Sequence, residues 1–175
     1  MAKRTTSSEI ASSVADVEWL NDDQLENWIL LTALLSKLPT ALDTQLQESA
    51  GLSFFEYSVL AGLSGSPTGT LRMSSLATFA NGSLSRLSHV VSRLERRGFV
   101  KRRPCKEDGR ATEAVLLAAG RRAVEAAAPS HVKEARRLVV DALTPTQLAQ
   151  LGLIARRILT AIDGAEFAVS AKMHE

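Results

Sequence analysis

A short stretch in the middle of the chain carries cationic and small polar side chains at helical spacing. Arg86, His89 and Arg93 are three and four residues apart, so on one helix they share a face with Ser85. Arginine matches the paired acceptors on guanine, and short serines let a helix approach the bases of a groove about 12 Å wide. Ser83, just before this stretch, would present backbone amides to a phosphate at the start of the helix. The pattern indicates reading of double-stranded DNA; a solvated amphipathic helix is the alternative.

The charge of the chain is concentrated around this stretch. Residues 66–110 carry ten Lys/Arg and three Asp/Glu, a net charge of +7, whereas residues 1–65 carry three and nine, a net charge of −6. Residues 111–175 carry eight Lys/Arg and seven Asp/Glu, a net charge of +1, so the whole chain has a net charge of +2. A basic block of this kind attracts polyanions, since each neutralised phosphate releases condensed counterions.

A long amphipathic helix is predicted before the basic block, from about residue 21 to residue 48. Asn21 and Gln24 form a capping box at its start, and Pro39 is expected to kink it. Ser53 and Glu56 form a second capping box, which opens a shorter helix. The apolar stripe of the long helix comprises Leu25, Trp28, Leu31 or Thr32, Leu35, Leu38, Leu42 and Leu46.

Two further short helices are predicted within the block. Ser74 is the expected N-cap of the first, which Asn81-Gly82 ends through left-handed backbone geometry, and Ser83 is the N-cap of the second. The second helix is expected to face the core through Leu84, Leu87, Val91 and Leu94, with Val90 at the edge. Two short helices joined by such a turn have the layout of a helix-turn-helix.

A β-hairpin is predicted after this pair of helices. Residues 99–103 and 111–117 alternate as strands, and Asp108-Gly109 is a turn signal between them. Helical composition returns at 118–143, where Pro129 is expected to kink or interrupt the helix, and Thr144 then caps a last helix. That helix repeats apolar residues at three- and four-residue steps, a coiled-coil-like pattern: Leu148, Leu151, Ala155, Ile158 and Ile162.

Three segments of the basic block and the region just after it follow one another in a specific order. Residues 94–102 read LERRGFVKR, residues 107–110 read EDGR and residues 116–120 read LLAAG. In order and spacing they resemble the MarR family of winged-helix regulators, and the resemblance covers roughly residues 20–165. The family usually has a threonine where Leu117 stands. The resemblance implies a mainly α fold with a small β-hairpin wing: a winged helix-turn-helix lobe with N- and C-terminal dimerisation helices.

The resemblance also implies roles for individual residues. Residues 83–97 would be the recognition helix, and Arg110 the wing arginine that enters the minor groove. Asp108 would be its partner or the brace of the wing, and Lys106 lies on the same basic tip. Narrow minor grooves focus negative potential that draws in guanidinium groups, which suits Arg110.

A homodimer is expected, because the apolar stripes of the terminal helices need a cover and a two-fold axis would present two recognition helices to inverted half-sites. The predicted division is a flexible arm (1–18), a dimerisation helix (19–50), the DNA-binding lobe (51–118), C-terminal dimerisation helices (119–168) and a flexible tail (169–175).

An effector site is also implied, because the resemblance places small aromatic ligands between the long first helix and the DNA-binding lobe. Trp28 and Tyr57 are the candidate contacts, against the alternative that both rings pack in the core. Cys105 lies beside Arg103 and Lys106, whose positive charges would favour a reactive thiolate. A redox sensor is therefore one interpretation of this cysteine, and a cysteine without a functional role is the alternative.

Several functional classes are disfavoured. There is no His, Cys, Asp and Glu cluster with metal-ligand spacing, no phosphate-binding loop and no nucleophile motif, so no metal, cofactor or enzymatic activity is expected. The longest strongly apolar stretch is seven residues, too short for a bilayer, and a single cysteine with no export signal favours the cytoplasm. The expected function is a sequence-specific transcriptional repressor; the alternative is a winged-helix interaction module that binds an acidic protein.

Overall fold

A computed structural model of the chain describes residues 17–105 and 108–164. The predicted arm, apart from Val17 and Glu18, and the predicted tail lie outside the described residues, as does Lys106. The chain divides between Lys37 and Leu38 into two compact units. The expected mainly helical architecture with one small sheet is confirmed.

Seven segments are helical and three are strands among the described residues. In chain order they are α1 (Asp22–Ala50), α2 (Phe54–Gly65), β1 (Thr70–Arg72), α3 (Met73–Phe79), α4 (Leu84–Arg96), β2 (Val100–Pro104), β3 (Thr112–Leu116), α5 (Ala118–Ala135), a π-helical segment (Arg136–Val140) and α6 (Pro145–Asp163).

Reciprocal capping boxes start three of the helices. The Asn21 side chain accepts from the backbone N–H of Gln24, whose side chain accepts from the backbone N–H of Asn21. Ser53 with Glu56, and Thr144 with Gln147, repeat this arrangement at α2 and α6. All three predicted helix starts are therefore confirmed.

The prolines leave α1 and α5 uninterrupted. Both helices continue through their internal prolines, Pro39 and Pro129. Of the kink or interruption predicted at Pro129, the interruption is wrong, because regular α-helix persists to Ala135 and only then gives way to the π-helical segment. There the backbone N–H of Asp141 donates to the carbonyl of Arg136.

The start of α3 differs from the prediction. Ser74 is not its N-cap: the helix begins at Met73, and the cap residue is Arg72, whose side chain does not cap the helix. The reason is the sheet, because β1 pairs with β3 as far as Arg72 and the buried Met73 follows at once. At the other end, Asn81 adopts the predicted left-handed backbone, with a φ of 51°.

The side of α4 that faces the core is formed by Leu87, Val90, Val91 and Leu94, all of them buried. Leu84 was expected among them, and that expectation is wrong, because its side chain is 54% exposed. At about 100° per residue, Leu84 lies within about 20° of the buried Val91 around the helix axis, so its exposure follows from its position in the first turn of the helix and not from the face it occupies.

The sheet holds the wing against the helices. Its order is β1-β3-β2, both pairs are antiparallel, and Val100 opposite Leu116 starts the predicted hairpin. The sheet passes directly into α5, since the backbone N–H of Leu117 donates to the carbonyl of Phe99 at 2.9 Å and Leu117 caps α5 without a side-chain hydrogen bond. Gly120 permits this approach: a Cβ there would lie 2.3 Å from the Phe99 carbonyl oxygen.

Two apolar surfaces are uncovered in the single chain. In α6 no residue is buried, and Leu153, Ile154, Ile158 and Ile162 are 41–71% exposed. In the first unit Leu25, Trp28, Ile29, Leu30, Leu34 and Leu35 are 46–62% exposed. No single helix among the described residues has the length and apolar composition of a membrane span; the bent pair Ala118–Val140 and Pro145–Asp163 passes that test only jointly.

Candidate nucleic-acid interface

The outermost side chains of α4 lie opposite its buried face. Ser85, His89 and Arg96 are all exposed, and helical geometry places them farthest from the buried Leu87 and Leu94. Ser85 and His89 were predicted contacts. Arg96 was not singled out as a contact, although it belongs to the same polar face.

One flank of α4 is held by α2 through an arginine and an aromatic ring. The Arg86 guanidinium carbon lies 4.2 Å from the centroid of the Phe55 ring. A Cβ at Gly82, in the turn before α4, would lie 2.6 Å from the same ring. Phe55 therefore contacts both the turn and the first residues of α4.

A buried carboxylate holds the same flank farther along. Glu56 is 7% exposed; its Oε1 lies 3.3 Å from Arg93 Nε and its Oε2 lies 4.0 Å from Arg97 Nη1. Arg97 also donates to the carbonyl of Gly51. Two predicted contacts, Arg86 and Arg93, thus have partners within the protein, and sequence spacing alone showed neither partner.

The other flank of α4 is tied to the wing by Arg102 of β2. Its Nε and Nη2 donate to Glu95 Oε2 at 3.0 and 2.7 Å, and its backbone N–H donates to Glu95 Oε1 at 2.8 Å. Its Nη2 also donates to Ser92 Oγ at 2.9 Å, and its Nη1 to Ser88 Oγ at 3.4 Å. The guanidinium fork therefore reaches three side chains spaced along one side of α4.

The tip of the wing is braced by Asp108. Its Oδ1 accepts from the backbone N–H of Arg110 at 3.1 Å, and its carbonyl accepts from the backbone N–H of Ala111 at 2.9 Å. The carboxylate thus orders the backbone that carries Arg110, whose exposed side chain extends from the tip. The brace, one of the two roles inferred for Asp108, is the one that these contacts support.

A second ion pair lies near the tip end of the two wing strands, one residue pair before Pro104 and Thr112. Arg103 Nε donates to Glu113 Oε2 at 3.0 Å across β2 and β3. This hydrogen bond is the main cause that lowers the pKa of Glu113. Burial of the carboxylate acts in the opposite direction but is weaker. A hydrogen bond from the Cys105 thiol and the positive charges of Arg103 and Arg72 lower the pKa further. Cys105 is itself 4% exposed, which places it inside the wing and not on its surface.

The helix α4 and the wing line one concave pocket of about 690 Å³. Leu84 and Ser88 contribute from α4, Arg102 and Arg110 from the wing, and Arg72 and Ser74 from the approach to α3. The positively charged side chains of the wing therefore share a concave pocket with the first two turns of α4.

A larger cavity of about 1210 Å³ lies behind α4, in the second unit. Its lining includes Phe55, Tyr57, Phe79, Arg86 and His131. Burial raises the pKa of Tyr57, one of the two residues predicted to contact an effector. Trp28, the other, lies in the first unit and is 54% exposed there, so within that unit it is not a core residue.

His131 gives this cavity a polar group in an aromatic setting. Its ring centroid lies 4.5 Å from that of Tyr57 and 5.8 Å from that of Phe54. Its Nδ1 is buried and has no hydrogen-bond partner in the described part of the chain, and burial lowers its pKa. In residues 17–105 and 108–164, no group of three or more His, Cys, Asp or Glu side chains could hold a metal ion.

Known proteins with the same architecture were identified by comparison. The profile of the MarR family matches residues 56–112. The chain is similar to the crystal structure of Sco3205, a MarR family transcriptional regulator from Streptomyces coelicolor in complex with DNA, with 38% identity over 83% of this chain and 91% of that chain and a TM-score of 0.80.

Two other structures extend the comparison. AbsC, a MarR family transcriptional regulator from the same organism, is 34% identical over 85% of this chain and 100% of that chain, with a TM-score of 0.80. The Staphylococcus aureus MepR–DNA complex shares the fold, with 18% identity over 76% of this chain and 96% of that chain and a TM-score of 0.67. Comparison with curated protein sequences found no match.

Proposed function

The chain belongs to the MarR family of transcriptional regulators, and from that premise we propose that it represses transcription by binding, as a homodimer, a palindromic operator in double-stranded DNA. It acts in the cytoplasm as a binding protein and not as an enzyme. A small aromatic or lipophilic effector releases it from the operator.

The observation that carries this proposal is the concave pocket shared by the recognition helix and the wing. Arg110 and Arg102 line it together with Leu84 and Ser88. Next to it, the exposed outer face of α4 offers Ser85, His89 and Arg96. A helix for the major groove beside an arginine for the minor groove suits B-form DNA, because the two grooves lie side by side along a duplex.

The uncovered apolar surfaces support the homodimer. The exposed side chains of α6, from Leu153 to Ile162, would leave a large apolar area in water unless a second copy covers them. Two-fold symmetry would set the recognition helices about 34–36 Å apart, one turn of DNA, which is why the operator should be palindromic.

The effector proposal depends on the cavity around Tyr57. Its lining combines aromatic rings with the polar side chains of His131 and Arg86. Mostly apolar pockets with a few polar groups are typical binding sites for small molecules. Arg86 belongs to the recognition helix, so a ligand in this cavity would contact an element that the operator also contacts. Release requires that the ligand bind more tightly to the conformation that does not fit the operator.

The decisive experiment begins with fragments selected from the source genome for binding to the purified protein. Fluorescence anisotropy on the recovered duplexes at several salt concentrations then gives the affinity and its salt slope, and light scattering gives the mass of the complex. We expect inverted repeats, two protomers per duplex and a clear weakening for Arg110→Ala. Arg122→Ala, an exposed arginine on α5, is the matched control.

Two results of the DNA-binding experiment would contradict the proposal. If no duplex is enriched at low salt, the chain is not an operator-binding protein. If duplexes are enriched but Arg110→Ala binds them as well as the unmodified protein does, the wing arginine is not part of the interface. In the first case, a stoichiometric acidic protein partner would support the interaction-module alternative.

A further inference from the structure

Resting on the proposed DNA binding, we propose that Leu84 and Ser88 determine operator specificity on the wing side of the recognition helix. Leu84 would contact a thymine methyl group, and Ser88 would donate a hydrogen bond to an acceptor on a neighbouring base. Arg102 is the positioning residue that fixes the Ser88 hydroxyl. Sequence patterning pointed instead to the face that carries Ser85, Arg86, His89 and Arg93.

Leu84 is an apolar side chain that does not pack in the hydrophobic core. It is 54% exposed in the first turn of α4, although the apolar residues that follow it in this helix are buried. It also lines the concave pocket that includes Arg110. The thymine methyl is the apolar group that base pairs present in the major groove, and apolar side chains are the groups that contact it.

Ser88 lies one helical turn after Leu84, on the same side of α4, and lines the same concave pocket. Its Oγ accepts from Arg102 Nη1 at 3.4 Å. A hydroxyl has one proton and two lone pairs, so this contact occupies a lone pair and leaves the proton to be donated. Acceptors that a hydroxyl can reach in the major groove are N7 and O6 of guanine, N7 of adenine and O4 of thymine.

Other serines of the chain use their hydroxyl protons differently. Ser36, Ser58 and Ser92 each donate to the carbonyl four residues earlier in their helices. Ser92 in addition accepts from Arg102, so its hydroxyl already serves two partners inside the protein. In the described structure Ser88 contacts Arg102 as an acceptor, which directs its proton away from the wing strand.

Arg102 is better suited to hold this arrangement than to bind phosphate. Two of its nitrogens donate to the same carboxylate oxygen of Glu95, so its charge is paired. The two side chains are 34% and 27% exposed, so the pair is partly shielded from water. A change at Arg102 that keeps the charge but loses the fork should therefore alter base preference without changing the number of phosphates contacted.

The first test uses a random-sequence duplex library as the probe. The unmodified protein should enrich half-sites that contain thymine beside a base with a major-groove acceptor. Replacing that thymine with uracil removes only the methyl group and should weaken binding about fourfold per half-site. Leu84→Ala should bind the thymine and uracil duplexes equally.

The second test compares base preferences. Ser88→Ala should relax the preference at the acceptor position, and Ser85→Ala, on the same helix, should leave that position unchanged. Arg102→Lys should relax the same position as Ser88→Ala while the slope of log affinity against log salt stays the same. A merely structural role for Arg102 would weaken binding at all positions alike.

The outcomes separate this inference from the proposed function. If the unmodified protein enriches no sequence, DNA binding itself fails and the inference fails with it. If a sequence is enriched but uracil weakens the unmodified protein and Leu84→Ala equally, or weakens neither, Leu84 does not read thymine. A lowered salt slope in Arg102→Lys would make Arg102 a phosphate contact and overturn its positioning role.

Discussion

The guanidinium of Arg86 lies 4.2 Å from the centre of the Phe55 ring, and this contact joins the recognition helix to the first turn of α2. Gly82 approaches the same ring so closely that a methyl group there would overlap with it. Phe55 therefore touches both the turn and the helix that follow α3. The orientation of the recognition helix depends on α2 as well as on the core.

Replacing Phe55 with leucine should lower the free energy of unfolding by about 1–2 kcal/mol, because the ring that supports Arg86 and Gly82 is removed and the leucine fills its place incompletely. Urea denaturation of the two proteins measures the difference. Phe79→Leu is the control, because Phe79 is 39% exposed and its replacement should lower the free energy of unfolding by less. Equal losses in the two variants would show that the contacts of Phe55 with Arg86 and Gly82 add nothing to stability.

Glu56 combines a capping role with a charge pairing, and two variants separate them. Glu56→Gln keeps a side chain that can accept from the backbone N–H of Ser53 but loses the charge opposite Arg93, so we expect a loss of about 1 kcal/mol. Glu56→Ala also loses the capping box and should cost about 1 kcal/mol more. Thermal or urea unfolding distinguishes them, with Glu48→Gln at an exposed position as the control. Identical losses would mean that the charge is the sole contribution.

Arg96 and Arg93 should differ in their effects on DNA binding, although both are exposed cations on α4. Arg96 lies on the outermost face, so Arg96→Ala should reduce the slope of log affinity against log salt by about one for each phosphate that the arginine neutralises. Arg93 is paired with Glu56, so Arg93→Ala should reduce stability more and the salt slope less. Anisotropy titrations at several salt concentrations test the first effect, and urea unfolding tests the second. The reverse pattern would assign the phosphate contact to Arg93.

Glu113 should make the wing sensitive to acid. Because its pKa is lowered in the folded protein, its ionised form stabilises the fold fully above the pKa of an unfolded glutamate, and this contribution disappears as the pH falls through the folded pKa. Unfolding midpoints of the unmodified protein and Glu113→Gln should therefore differ at neutral pH and converge under acidic conditions. A difference that persists at acidic pH would mean that the Arg103–Glu113 pair is not its source.

Gly120 should tolerate no side chain. A Cβ there would lie 2.3 Å from the Phe99 carbonyl oxygen, a backbone atom that cannot move without disturbing the start of α5. Gly120→Ala should therefore lower stability by about 1–3 kcal/mol or more. Gly109→Ala, where a methyl group would meet nothing within 4 Å, is the matched control and should change stability by less than about 0.5 kcal/mol. Comparable stabilities for the two variants would refute the close approach.

The elements of the fold were predictable because their signals are local. The capping boxes at Asn21, Ser53 and Thr144 depend on residues three positions apart, and each helix start appears as predicted. Ser74 failed as a cap because strand pairing with β3, a contact over about forty residues of sequence, fixes where α3 begins. Local preference cannot anticipate that constraint.

The site was only partly predictable for the same reason. Helical periodicity placed Arg86, His89 and Arg93 on one polar side of α4, but it could not show which of them have partners in other elements. Phe55 and Glu56 lie about thirty residues earlier, and only the packing of α2 beside α4 brings them to the two arginines. Leu84 was misassigned because an apolar residue at the edge of a stripe has the same spacing whether it faces the core or the wing.

The exposed leucine and isoleucines of α6 should affect how long a single protomer survives in the cell. If the chain is a homodimer as proposed, newly synthesised protomers without a partner display the kind of apolar surface that chaperones and proteases act on, and dimerisation depends on concentration. We therefore expect the amount of intact protein to rise more steeply than its rate of synthesis. Substituting charged residues at Leu153 and Ile162 should shorten the lifetime of the chain in the cell even where the DNA-binding lobe is untouched.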